Sequence, residues 1–134
     1  YNIGFEKGIK DWHRYLKPGG LLVVSEITWL TNFRPLEIQK YWEVEYSEID
    51  LASAKFALLE EYGYSPIGYF VLPEHCWLEN YYQPMQVRFQ DFLKRNNHSE
   101  DAHSIVEMET REIELYEQYK AYYSYGVYIA RKLN

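Results

Sequence analysis

Leu16-Lys17-Pro18-Gly19-Gly20-Leu21-Leu22-Val23-Val24-Ser25-Glu26 carries the chain from the end of a helix, through a tight turn, into a strand. Proline disfavours helix in the residue before it, and paired glycines permit positive φ, so Lys17-Pro18-Gly19-Gly20 stops whatever precedes it. Leu21-Leu22-Val23-Val24 is an unbroken apolar run with paired β-branched residues, which predicts a strand covered on both faces. Upstream, Phe5, Ile9, Trp12 and Leu16 recur at the spacing of an amphipathic helix. Helix, turn and buried strand make half of a βαβ unit, and the other strand is expected before residue 1.

Downstream, the pattern keeps alternating. Pro35 suits the first position of a second helix, where its missing N–H costs nothing, with Ile38, Tyr41, Trp42 and Ile49 sharing a face. Leu51, Ala54, Leu58 and Tyr62 predict a further short helix closed by Gly63. Tyr64 to Leu72 reads as a strand, with Pro66 and Gly68 in its weak or edge portion and Pro73 ending it. Leu78, Tyr82, Met85, Phe89 and Phe92 return to helical spacing. Asn96-Asn97-His98 is a loop, and Ser99 starts a last helix carrying Ile105, Met108, Leu115, Tyr119 and Tyr122. Tyr125 to Arg131 closes the chain as an apolar strand. Three strands among helices predict an α/β fold, read as a single domain over residues 1–134.

Composition bounds the function. The chain has 134 residues and a net charge of −6, with 20 acidic against 14 basic side chains. Without a long basic block it has no general phosphate-binding face, so nucleic acid is not an expected partner. Cys76 is the only cysteine, which excludes an internal disulfide and a thiolate-rich metal site. No apolar run approaches a membrane span, and a soluble, cytoplasmic protein is expected. Aromatic residues reach 19%, with 15 tyrosines, a density that demands extensive packing surface in a core, a partner or a ligand.

The Leu16–Glu26 segment resembles the passage from helix to fifth strand in class I S-adenosylmethionine-dependent methyltransferases. Tyr1-Asn2-Ile3-Gly4-Phe5-Glu6 resembles the exit of that fold's fourth strand, and Tyr125 to Arg131 its seventh, antiparallel strand. Glu26-Ile27-Thr28-Trp29, Leu72-Pro73-Glu74-His75-Cys76-Trp77 and Tyr122-Tyr123-Ser124-Tyr125 resemble bacterial and archaeal small-molecule methyltransferases more narrowly. The resemblance covers nearly the whole chain but only the second half of the family's domain. It implies a partial Rossmann-like sheet with strand order fifth, seventh, sixth. The family binds its cofactor through a Gly-x-Gly loop after the first strand. The glycines here stand at 4, 8, 19, 20, 63, 68 and 126, so no such loop exists in this sequence. The expectation is therefore the C-terminal part of a methyltransferase, lacking the N-terminal cofactor-binding half.

Ligands of open α/β sheets sit beyond the carboxyl ends of the parallel strands. By resemblance, Tyr1 and Asn2 approach the S-adenosylmethionine methyl donor, while Glu26 and Trp29 lie nearer the acceptor. Glu26 could orient or deprotonate the nucleophile, or simply cap a helix. Trp29 could shelter a sulfonium or a cationic acceptor, or simply pack at a strand end. Trp77, Tyr81 and Tyr82 could line an acceptor-pocket lid or form ordinary core. His75 and Cys76 are read as structural, since neighbours on an extended segment face opposite ways, and no metal is expected.

Two functions follow. In the first, the parent protein methylates a small molecule, this chain supplies the acceptor side, and the chain alone binds cofactor weakly or not at all. In the second, it is a non-catalytic association module: the outer edge of Leu21 to Ile27 lacks a neighbouring strand and pairs with a second copy, giving a homodimer.

Overall fold

The computed structural model describes residues 3–134, so Tyr1 and Asn2, expected at the methyl donor, lie outside the described residues. The order of elements is α1 (Phe5–Trp12), β1 (Leu21–Trp29), α2 (Leu36–Glu45), β2 (Asp50–Leu51), α3 (Ala52–Glu61), β3 (Tyr64–Val71), α4 (Glu74–Trp77), α5 (Gln83–Arg95), α6 (Glu100–Tyr119) and β4 (Tyr123–Lys132). They fall into two compact units. One holds the chain up to Leu72 together with Ala121–Asn134; the other is Pro73–Lys120.

The first unit is built on one mixed sheet in the order β2-β1-β4-β3. β4 lies antiparallel between β1 and β3, as the resemblance implies for the fifth, seventh and sixth strands. A fourth strand joins the expected three. β2 pairs in parallel with the end of β1, Thr28 opposite Asp50 and Trp29 opposite Leu51. Two residues are too few to show a period, so nothing in the pattern marks it. Beyond that short pairing, the edge of β1 from Leu21 to Ile27 has no neighbouring strand among the described residues.

The turn does what its residues dictate. Gly19 takes φ +80°, and its amide donates to the Lys132 carbonyl at 2.8 Å, while the Lys132 amide returns a bond to Gly20. Lys132 Nζ reaches the His13 and Leu16 carbonyls at 2.7 and 2.8 Å, neutralising the carbonyl end of the first helical segment. The last strand thereby fastens the helix–turn–strand passage.

One face of the sheet is covered by α1 and α3. Phe5, Ile9, Leu59, Tyr64, Tyr128 and Ala130 form its core, each at most 3% exposed, with Leu16, Leu22, Val24 and Phe56 packed around them. The opposite face is open in its amino-terminal half: Val23 is 63% exposed, Leu21 51% and Phe70 50%. β1 is thus covered on one face only there, although its continuous apolar run predicts cover on both.

The second unit is helical. Its expected helix from Leu78 is split into a wider π-type turn over Leu78–Tyr82 and α5, and the unexpected one-turn α4 precedes it. Pro84 has no N–H to give Asn80, so the regular ladder fails just before it. Ser99 caps α6 as expected, accepting from the Ala102 amide at 3.1 Å. Elsewhere Pro35 caps α2 instead of opening it, Ile49 and Tyr122 lie beyond the ends of α2 and α6, Leu51 falls in β2 instead of a helix, and β1 and β4 each extend further toward the Trp29–Tyr123 pair.

Candidate functional site

Four buried residues lie consecutively at the carboxyl end of β1: Glu26, Ile27, Thr28 and Trp29. They alternate between faces, so Glu26 and Thr28 point toward the α1/α3 layer and Ile27 and Trp29 the other way. Glu26 is 5% exposed. Its carboxylate accepts from Tyr46 Oη at 2.9 and 3.0 Å and from Lys55 Nζ at 2.9 Å. Burial pushes its pKa up, and the Lys55 ammonium and the Tyr46 hydroxyl oppose that rise. The neighbouring carboxylate and burial in turn push Tyr46 well above the usual phenol range, so it stays a donor.

This pair is the centre of a larger network. Lys55 also donates to the Glu48 carbonyl at 2.5 Å and lies 4.9 Å from the Phe5 ring centroid. Tyr46 Oη accepts from the Phe5 amide at 3.1 Å. The Glu48 carboxylate takes the Phe5 and Glu6 amides at 3.1 and 3.3 Å, occupying the positive end of α1. Gly4 makes this possible: it sits at φ +84°, and a Cβ there would come within 2.2 Å of Glu48 Oε2. The start of α1 is thus tied directly to the end of β1. Tyr46, Glu48 and Lys55 were not singled out from the sequence. The available signal was Lys55 itself, a lysine four residues before Leu59 on an otherwise apolar helix face.

Trp29 is 4% exposed and meets Tyr123 edge-on at 6.3 Å between ring centroids, with Trp42 against the same tyrosine at 5.3 Å. Its face is not vacant: the Arg34 guanidinium carbon lies 4.3 Å from the ring centroid. Arg34 comes from the loop after β1 and donates through Nη1 to the Thr31 carbonyl at 2.7 Å.

Trp77, Tyr81 and Tyr82 belong to the helical unit. Trp77 stacks on Tyr116 at 4.8 Å and 24°, and Tyr82 leans on both rings. Trp77 and Tyr82 are buried, whereas Tyr81 is 45% exposed. Burial pushes the Tyr116 hydroxyl up to about 12. His75 and Cys76 stand on the one-turn helix α4, not on an extended segment, because Pro73 ends the strand ahead of them. Among the described residues, no three His, Cys, Asp or Glu side chains gather as metal ligands. A cavity of about 700 Å³ is lined by Phe56, Tyr64, Pro66 and Tyr69 and opens near the amino end of β3. Through the β4 register this is also the amino-end side of β1, away from Glu26 and Trp29.

No protein-family model and no curated protein matches the sequence. Solved structures do. A methyltransferase from Geobacter sulfurreducens in complex with S-adenosyl-L-homocysteine matches over 95% of this chain with TM-score 0.74 and 19% identity. One from Thiobacillus denitrificans, in complex with the same molecule, matches over 96% with TM-score 0.73 and 20% identity. The chain has the fold of S-adenosylmethionine-dependent methyltransferases. It spans about half of these structures, 51% and 52% of their lengths. A phosphoethanolamine N-methyltransferase from Haemonchus contortus in complex with S-adenosyl-L-methionine has the same fold, with TM-score 0.68 and 13% identity over 30% of its length.

Two kinds of group that commonly hold such a ligand already have partners at this end of the sheet. A ribose needs a carboxylate with free lone pairs, and the carboxylate ending β1 is committed to Lys55 and Tyr46. A pyrophosphate-like or carboxylate group needs approachable backbone amides, and those opening α1 are held by Glu48 and Tyr46. No helix of the described residues is long and apolar enough to cross a membrane.

Proposed function

We propose that this chain is the acceptor-side half of a cytoplasmic S-adenosylmethionine-dependent methyltransferase acting on a small molecule. The match of its fold to such enzymes over 95% of its length carries the reading. Small amines are the acceptor class we favour, since one protein of the same fold is a phosphoethanolamine N-methyltransferase. Tyr1 and Asn2 are assigned to the donor side and Trp29, Trp77, Tyr81 and Tyr82 to the acceptor side. Methyl transfer is a displacement at carbon whose main demand is alignment, so the work falls to residues that fix geometry. The role we favour for Glu26 is this one: with Tyr46, Lys55 and Glu48 it locks the end of β1 to the start of α1. Direct proton abstraction by Glu26 is the less favoured role, since burial and two donors, Tyr46 and Lys55, leave it little access to a substrate.

The test is calorimetric titration with S-adenosylmethionine of this chain and of the complete gene product containing it. The complete product is expected to bind at about micromolar Kd and this chain not at all. Micromolar binding by this chain alone, or none by the complete product, overturns the reading.

A second reading, association with another copy, is favoured by the unpaired edge of Leu21 to Ile27 and the exposed Val23 beside it.

A further inference from the structure

Arg34 is held in a way that its own packing does not explain. Its guanidinium lies over the Trp29 ring, with the central carbon 4.3 Å from the ring centroid. One edge is spent, Nη1 donating to the Thr31 carbonyl at 2.7 Å. Nε is buried and has no hydrogen-bond partner. Nη2 also bonds to no described residue, yet it is not among the buried unpaired atoms, so it stands at the surface. No described carboxylate pairs with Arg34, in a chain carrying 20 acidic residues. An arginine held over an aromatic ring and by one carbonyl, and left without an anion, is built to receive one. The planar fork matches a carboxylate or phosphate, and stacking on an aromatic ring removes the rotational freedom that binding would otherwise cost.

Its position gives this meaning. Arg34 lies five residues past the end of β1, at the carboxyl edge where ligands of such sheets sit. The helix after it, α2, begins at Leu36 with Pro35 as its cap and no side-chain cap bond. Its first amides add a positive field beside the guanidinium, opposed in part by Glu37.

We propose that Arg34, clamped on Trp29, binds an anionic group, carboxylate or phosphate, of the molecule that is methylated. The acceptor then carries an anion at a fixed distance from the atom receiving the methyl group. This rests on the methyltransferase reading and adds the charge of its substrate.

The test uses this chain without cofactor. Inorganic phosphate and acetate are titrated separately at constant ionic strength, with choline chloride as the cationic control. The readout is the Trp29 indole N–H resonance, assigned from the Trp29→Phe variant. Saturable displacement by at least one anion is expected, at about 1–10 mM, and none by choline. Tighter phosphate binding identifies a phosphomonoester acceptor, and tighter acetate binding a carboxylate. Arg34→Gln should weaken binding about tenfold or more, equivalent to its loss in this range. Arg34→Lys, which keeps the charge without the fork, should fall between. Unmoved Trp42 and Trp77 indole resonances show that each variant remains folded. Absence of saturation for both anions, or equal affinity in wild type and both variants, overturns the proposal. Because no cofactor is present, that failure leaves the methyltransferase reading standing, and loss of cofactor binding by the complete product leaves this measurement intact.

Discussion

At Glu26 a single carboxylate joins β1, the segment after α2, and α3. Removing one member of a buried ion pair leaves the other charge unpaired, at a cost of about 3–5 kcal/mol. Glu26→Gln still offers Lys55 an amide oxygen, so its expected destabilisation is at the lower end, about 3 kcal/mol by urea unfolding. The pH dependence has a definite sign. Burial raises the folded pKa above the ordinary 4.5, so between those two values the folded state holds a proton that the unfolded state has lost. Stability from this group is therefore whole below about pH 4.5 and is lost as pH rises through the folded value. The wild type should gain on Glu26→Gln as pH falls from about 8 to 4.5, followed by thermal melting at each pH. A gap that widens as pH rises would refute the assignment of burial as the dominant effect. None of these partners is close to Glu26 in the chain: Tyr46 lies 20 residues away and Lys55 29. A linear pattern shows that Glu26 ends a strand. It does not show which cation or hydroxyl will be folded against it.

The elements were legible where a residue's own backbone chemistry decides the outcome. Lys17-Pro18-Gly19-Gly20 had to turn, and Ser99 had a hydroxyl placed to receive a helix amide. Both features appear as expected. The elements not foreseen depend instead on neighbours. β2 exists only because β1 offers it two residues of edge, and the π-type turn at Leu78–Tyr82 exists because Pro84 withholds one donor from the helix. The aromatic residues from Trp77 to Tyr82 divide the same way. They could be read as a pocket lid or as core, and that Trp77 and Tyr82 turn inward onto Tyr116 depends on a helix more than thirty residues further on. Ser99 also gives a test of the division into two units. Ser99→Ala removes the one side-chain cap of α6, which typically costs about 1 kcal/mol. Amide hydrogen exchange should quicken by about fivefold across the first turns of α6, with β4 amides unchanged. Equal acceleration in β4 would mean that the two units open as one.

For the molecule as a whole, the consequential feature is a sheet finished on one side only. Tyr64, Tyr128 and Leu59 close the α1/α3 face to solvent, whereas Val23, Leu21 and Phe70 on the other face are half exposed or more. The register sets Val23 against Ile129 and Gly68, and Ser25 against Val127 and Phe70, so these side chains form continuous rows instead of scattered spots. The same half of β1 has an edge with no neighbouring strand among the described residues. A flat apolar row beside free backbone donors and acceptors is a template for another strand, and proteins that must stay monomeric usually guard such edges with lysine. Here the edge positions Leu21, Val23 and Ser25 are uncharged. This chain is therefore expected to pair with a second copy along Leu21–Ile27, and Val23→Lys should return it to a monomer. Light scattering after size exclusion, at about 100 μM, should give twice the chain mass for the wild type and the single mass for the variant. Circular dichroism must show both folded. A folded wild type that stays monomeric there would remove the association reading. A dimer unaffected by Val23→Lys would move the interface elsewhere. The measurement also bears on the methyltransferase reading, under which a longer gene product would have further chain with which to cover this face. It should then stay monomeric at the same concentration, with Val23 protected from solvent by its own polypeptide.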